Sequence, residues 1–467
     1  MRKRLHYLPM SDFTPKQLRF SPSAGFTVRA DFAGGGLSSD LGPLLLRGVD
    51  RQIGLTARLA AAFHDRRHSS YIDHSTQTIM TQRVYQIASG YEDGNDCNTL
   101  RHDPMFRLGA GRSPFDANSA LASGSTISRF EHAATTRDIY RISQALLMQY
   151  IARFATPPSA IVLDLDHSED PAHGQQPLAF YNHYYRSTCY LPLFIFDGLN
   201  GDLIAAILRP GKRPTGAENA MIMARVLKLL RQHWPNTHIL VRGDGHFSSP
   251  ELMQLIDTMP NTEFVFGLAS NTILQRLAEP HMQQARKLYS VRHLHGEEAT
   301  RLYHSFTYGA ASWSRDFRVV LKAEVLAKGD NPRFVVTSLT KPSALRVYTE
   351  LYCARGQCEN FIKYVKCDLA SDRTSCTTFL ANCTRLLLHA AAYVLHQQLR
   401  SQALQHTELA HAEPSTVIAK LFKVATQVKQ YKGRIVLHLP SAYPFKDLLW
   451  QLTERLYLAT QIPSNST

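Results

Sequence analysis

Cysteine is scarce in this chain of 467 residues: seven occur, and none stands in a C-x-x-C pair. An odd count without metal-binding spacing excludes a disulfide framework and points to reduced thiols. No apolar run approaches the roughly 18 residues of a membrane span. The basic start Met1-Arg2-Lys3-Arg4 is followed by no apolar stretch of the kind a secretory leader needs. A cytoplasmic protein with no membrane partner is expected. Charge is also sparse, at 19% of residues, but it leans one way: 52 Lys and Arg against 38 Asp and Glu give a formal +14. With a pI near 9.5 and 44% hydrophobic residues, the balance fits a globular chain that binds a polyanion. The length suits about three domains.

Residues 1–157 read as mainly helical, with a helical segment from about Leu41 to Asp65 after the turn Gly34–Asp40. The polar loop Gly90–Asp96 is acidic but lacks EF-hand spacing, so it reads as a solvated loop. Ser125 is a plausible N-cap for a helix carrying Ser128 and Arg129 in its first turn, which suits either an ordinary capped helix or a DNA-contacting one. A linker at Thr156-Pro157-Pro158 is followed by β-rich runs at Ala160–Asp166, Cys189–Phe196 and Leu203–Arg209. Then come a helix at Ala217–His233, a strand at His238–Asp244, a helix at Ser249–Thr258 and a strand at Glu263–Leu268. That order predicts an α/β, RNase H-like core of mixed sheet and flanking helices over 158–270. A β-rich insertion is expected over 271–340, with strands at Leu302–Tyr308, Phe317–Val325 and Arg333–Leu339. The core resumes over 341–400. A helical C-terminal region over 401–467 would hold helices at Val417–Val428 and Phe445–Leu458.

The segment from Tyr352 to Lys366 carries apolar Leu351, Ala354, Cys358, Ile362 and Val365 at helical steps. On a regular helix Tyr352, Arg355, Glu359 and Lys366 fall within roughly 60° of one another. A carboxylate flanked by two cations and a phenol suits a metal ligand working on a phosphodiester, although Arg355 and Glu359 alone also read as a surface i,i+4 pair. Further carboxylates come from two strands. Alternation in Ile161–Asp166 puts Asp164 and Asp166 on one face, where they need a cation or a salt bridge. Asp244 follows a strand in the Gly-flanked turn Gly243-Asp244-Gly245. In an RNase H-like sheet these acids converge at one edge, where they can hold two divalent ions about 3.5–4 Å apart. His167 and His246, beside them, read as structural neighbours. Between 341 and 434, 13 Lys or Arg face 6 acids, enough excess to propose a DNA-facing surface.

Tyr352-x2-Arg355-x3-Glu359-x6-Lys366 resembles the YREK signature of DDE transposases. Leu163–Asp166, Arg242–Phe247, Asn331–Thr337, Gly90–Asp93 and Thr126–Glu131 resemble the insertion-sequence 1380 family within that group, over nearly the whole chain. The resemblance implies Asp166, Asp244 and Glu359 as catalytic metal ligands for two Mg²⁺, with Mn²⁺ able to substitute. Asp164 stays open as the first ligand; Asp166 is preferred because relatives commonly carry Thr two residues on, where this chain has Ser168. Another departure is Gly245-His246-Phe247, where relatives often have Ser-Gly-Phe. Tyr352, Arg355 and Lys366 would bind terminal phosphates, Trp313 would stack on a flipped base unless it simply packs on the sheet, and Arg129 is a further DNA candidate. The implied activity is cut-and-paste transposition of an insertion sequence through a hairpin, by a nucleoid-associated homodimer on terminal inverted repeats and target DNA. An RNase H-like nuclease without strand transfer and a transposase-derived DNA-binding regulator are the alternatives.

Overall fold

The computed structural model describes residues 17–295 and 298–461; the basic Met1–Arg4 start lies outside them. A nine-stranded mixed sheet organises the chain. Across it the strands run Ala299–Tyr308, Phe317–Leu326, Arg333–Thr337, Thr262–Leu268, His238–Gly243, Ala160–His167, Leu193–Asp197 and Leu203–Ile207, with the short Gly329–Asp330 strand beside Phe317–Leu326. The three central strands Ala160–His167, His238–Gly243 and Thr262–Leu268 are parallel, and every other pairing is antiparallel.

Both faces are covered, which is why the central strands read as near-continuous apolar runs. On one face Phe194, Phe196, Leu203 and Ala206 join the core built around the Phe379–Gln402 helix. On the other, Leu193, Ile195, Leu163 and Val241 pack with the helices Gly216–His233, Pro250–Asp257 and Thr272–Arg292. The Phe379–Gln402 helix is apolar nearly all round because it also packs against the N-terminal Thr76–Ala88 helix.

Several expectations change here. The strands expected in the β-rich insertion are present at Ala299–Tyr308, Phe317–Leu326 and Arg333–Thr337, and they extend the core sheet. Thr262–Leu268 would otherwise leave its backbone groups unpaired along one edge; Val265, Phe266, Gly267 and Leu268 pair with Thr337 through Phe334 instead. The run Leu41–Asp65 is two helices, Gly42–Ile53 and Leu55–Ala62, broken where Gly54 takes φ 66°. A hairpin, Leu18–Ser23 with Phe26–Ala30, precedes them. Val417–Val428 is helical only to Phe422; Thr426–Tyr431 is a strand paired with Arg434–His438 and with Leu37–Ser38. Its alternation, Thr426 and Val428 buried and Lys429 exposed, is the period of a strand.

The Ala344–Asp368 segment is not one regular helix. Val347–Tyr352 and Tyr364–Asp368 are wound as π-helix, Cys353–Arg355 as 3₁₀-helix, and only Gly356–Lys363 between them as α-helix beyond a single turn. Each change of winding breaks the 100° step, so a single polar stripe from Tyr352 to Lys366 does not follow from spacing.

Candidate active site

Two acids meet where parallel strands end. Arg242 lies opposite Asp164 and Gly243 opposite Leu165, so the residues that follow, Asp244 and Asp166, emerge side by side at the carboxyl edge of the sheet. One step inward, Asp164 is fully buried and both its oxygens are taken by Arg242, Nε to Oδ1 at 2.6 Å and Nη2 to Oδ2 at 2.7 Å. Such a bidentate pair leaves little capacity for a further cation. Arg242 Nη1 also donates to the Leu351 carbonyl at 2.8 Å, which ties the central strand to the Tyr352-bearing segment. Gly198 packs directly over this pair, where a Cβ would collide with both the Asp164 carboxylate and the Arg242 guanidinium.

Asp166 accepts from Arg355 Nη1 at 3.0 Å and from the His167 backbone N–H at 2.9 Å. Burial raises its carboxyl to about 6; Arg355 opposes this, while Asp244 and Glu359 push it further up. The three acids therefore share one electrostatic neighbourhood. Asp244 accepts from the His246 backbone N–H at 2.9 Å. Glu359 stands on the rim, with its side chain 68% exposed and 3.8 Å from Arg355 Nη2. Arg355 thus bridges Asp166 and Glu359. Burial works against its charge, but Asp166, Tyr352 and Asp244 outweigh that and raise its pKa. Burial also raises the Tyr352 phenol, so it keeps its proton to donate.

Among the described residues, no three His, Cys, Asp or Glu side chains lie close enough to cage a metal ion. The expected triad is neighbouring but not assembled: Asp166 and Asp244 adjoin, Glu359 turns outward, and a guanidinium lies against Asp166. The donor chemistry nonetheless fits a hard divalent ion, because these are oxygen ligands whose mutual repulsion already shows in the raised Asp166 carboxyl.

The other expected residues are scattered. Lys366 Nζ donates to the Glu169 backbone carbonyl and lines a cavity of about 800 Å³ with Asp372 and Arg373. Trp313 packs edge-on against Tyr308 and Phe317, at 5.3 and 5.8 Å between ring centres. Arg129 is exposed on the Gly124–Ala133 helix, whose N-cap is Ser123 and not Ser125. His167 is half-buried and stacks on Phe247; desolvation lowers it to about 3, so it stays neutral.

Four neighbours escaped the sequence reading. Arg242 stood in plain view beside Gly243-Asp244, but its partner lies 78 residues away. Tyr185 is pushed up to about 12, by burial and then by Asp166. Arg213 and Arg333 share a cavity of about 410 Å³ with Asp244 and Tyr352; one sits in a loop and the other opens a strand, and both lie far from these partners in sequence.

The family model described as transposase DDE domain group 1 matches residues 20–461. Among solved structures, the cryo-EM structure of the piggyBac transposase synaptic complex with hairpin DNA is similar at 11% identity. That match covers 90% of this chain and 82% of that chain, with a TM-score of 0.42. No curated protein matches the chain.

Proposed function

The chain belongs to the family of group 1 transposase DDE domains, and from that premise we propose that it cleaves DNA at the ends of a mobile element and joins them to target DNA. The observation that carries this reading is the meeting of Asp166 and Asp244 at one sheet edge, with Arg355 against Asp166 and Glu359 on the rim beside Arg355. Asp166, Asp244 and Glu359 would hold the divalent ions, Mg²⁺ or Mn²⁺, which when bound activate the attacking oxygen and stabilise the leaving one. Arg355, half-buried beside Asp166, is placed to donate to a scissile phosphate. Tyr352 offers a phenolic proton to a phosphate oxygen, and Lys366 would hold the strand beyond. Asp164 and Arg242 keep the edge in register without touching DNA.

The finer reading is ours as well. The order Leu203–Ile207, Leu193–Asp197, Ala160–His167, His238–Gly243, Thr262–Leu268 supports an RNase H-like core. We divide the chain into a DNA-binding unit over 1–157, the core over 158–270 and 341–400, its sheet extension over 271–340, and a C-terminal region over 401–467. The YREK spacing favours the insertion-sequence 1380 family, a hairpin intermediate and a homodimer on paired inverted repeats.

The test is excision in cells. A donor plasmid carrying the element's ends around a marker is supplied together with the wild-type chain or Glu359→Gln. Excision by the wild type alone supports the proposal; excision by both removes Glu359 from the mechanism. No excision by either favours the DNA-binding regulator.

A further inference from the structure

Away from the acidic edge, the N-terminal helices enclose a second concavity of about 700 Å³. Its size falls within the roughly 300–1,000 Å³ of sites that take one small molecule. The apolar part of its wall is the ring pair Phe63 and Phe130, 4.7 Å between centres. Tyr71 is on its lining and 83% exposed. Arg101 and Arg129 supply charge, the latter from the Gly124–Ala133 helix. Arg101 Nε and His74 Nδ1 are buried atoms without a hydrogen-bond partner among the described residues.

Two acids also line the wall. Asp65 is consumed by Arg67, Nε at 2.8 Å and Nη2 at 2.6 Å, and by the Thr76 hydroxyl at 2.8 Å. Asp73 is exposed. His74 registers the balance: burial and then Arg112 drive its proton off, Asp73 opposes them, and Arg101 and Arg67 add to the positive field. A neutral imidazole presents one donor and one acceptor, as a base edge does.

Guanidinium groups, a solvent-facing aromatic ring and a neutral donor–acceptor pair together describe a nucleotide, with phosphate on the arginines and base on the ring. A base within an intact duplex cannot enter a concavity; one that has left the stack can. We propose that the cavity lined by Tyr71, His74, Arg101 and Arg129 binds an unpaired nucleotide of the DNA being processed. This rests on the transposase reading, because a free nucleotide carries the same chemistry.

The test uses the full chain and two labelled duplexes of the element's end, one blunt and one with an unpaired tail, with thymidine monophosphate as competitor. The wild type should prefer the tailed duplex. Tyr71→Ala should lower that preference about 5- to 150-fold, the range expected for losing one aromatic stack under a base. Arg129→Gln, also at an exposed position, should lower it too. Equal wild-type affinity for both duplexes, or a preference kept by Tyr71→Ala, overturns the cavity assignment. Displacement of the tail by low concentrations of thymidine monophosphate overturns the DNA source. Cleavage is read on the same samples: intact cutting without tail preference removes the cavity alone, while loss of both binding and cutting removes the transposase reading too.

Discussion

Replacing Asp166 by Asn should stop cleavage and at the same time make the metal-free protein harder to unfold. In the folded chain the Asp166 carboxyl titrates at about 6, against 3.8 for the ordinary group, first because it is buried. Between those values the folded state binds more protons than the unfolded one. The carboxyl therefore favours folding most below pH 3.8, loses that contribution as pH rises to about 6, and imposes a constant cost above it. A gap of about two pH units amounts to about 3 kcal/mol. The neutral amide avoids this cost but gives Arg355 a weaker partner, which leaves a net gain of about 2 kcal/mol. Unfolding entropy for 467 residues is about 1 kcal/mol/K, so Tm should rise by about 2 °C at pH 7. The gain should shrink at pH 5. Mg²⁺ at a hundred times its Kd should stabilise the wild type by about 2.7 kcal/mol and Asp166→Asn far less. Differential scanning calorimetry with and without Mg²⁺ measures both effects. A variant that melts below the wild type at pH 7 without metal, or gains as much from Mg²⁺, would refute the reasoning.

Arg242→Gln should destabilise the fold by about 3–5 kcal/mol, because it strands the buried Asp164 carboxylate; a Tm within a degree of wild type would show that Asp164 is not charged there. Glu359→Gln, on an exposed side chain, should leave stability within about 0.5 kcal/mol of wild type while abolishing cleavage and keeping end binding. Trp313→Ala should lower stability, since the indole packs on Tyr308 and Phe317, and a second role in base stacking requires it to slow hairpin formation more than nicking. Equal effects on the two steps would leave Trp313 a packing residue.

Much of the sheet was legible because its strands are short apolar runs bounded by turns. Ala160–His167, His238–Gly243 and Thr262–Leu268 all fall within a residue of their expected bounds. Asp166 and Asp244 were legible for the same reason, as acids closing such runs. What sequence concealed was pairing at a distance. Nothing in Arg333–Thr337 says that its hydrogen bonds go to Thr262–Leu268, so where the insertion's strands pair could not be read. Nothing local says that Asp164 is spoken for by Arg242, so two acids on one face looked equivalent. The π-wound turns at Val347–Tyr352 and Tyr364–Asp368 were hidden too, because residue spacing assumes the regular step they interrupt. No described helix is long and apolar enough to cross a membrane, in line with the absence of long apolar runs.

The most direct test is to incubate purified protein and Mg²⁺ with a labelled duplex carrying the element's own end and to resolve the products on a denaturing gel. The account predicts a nick at the element boundary followed by a hairpin or strand-transfer product, both absent with Asp166→Asn. Binding without any cut, under conditions where a related active enzyme cuts the same way, would contradict it.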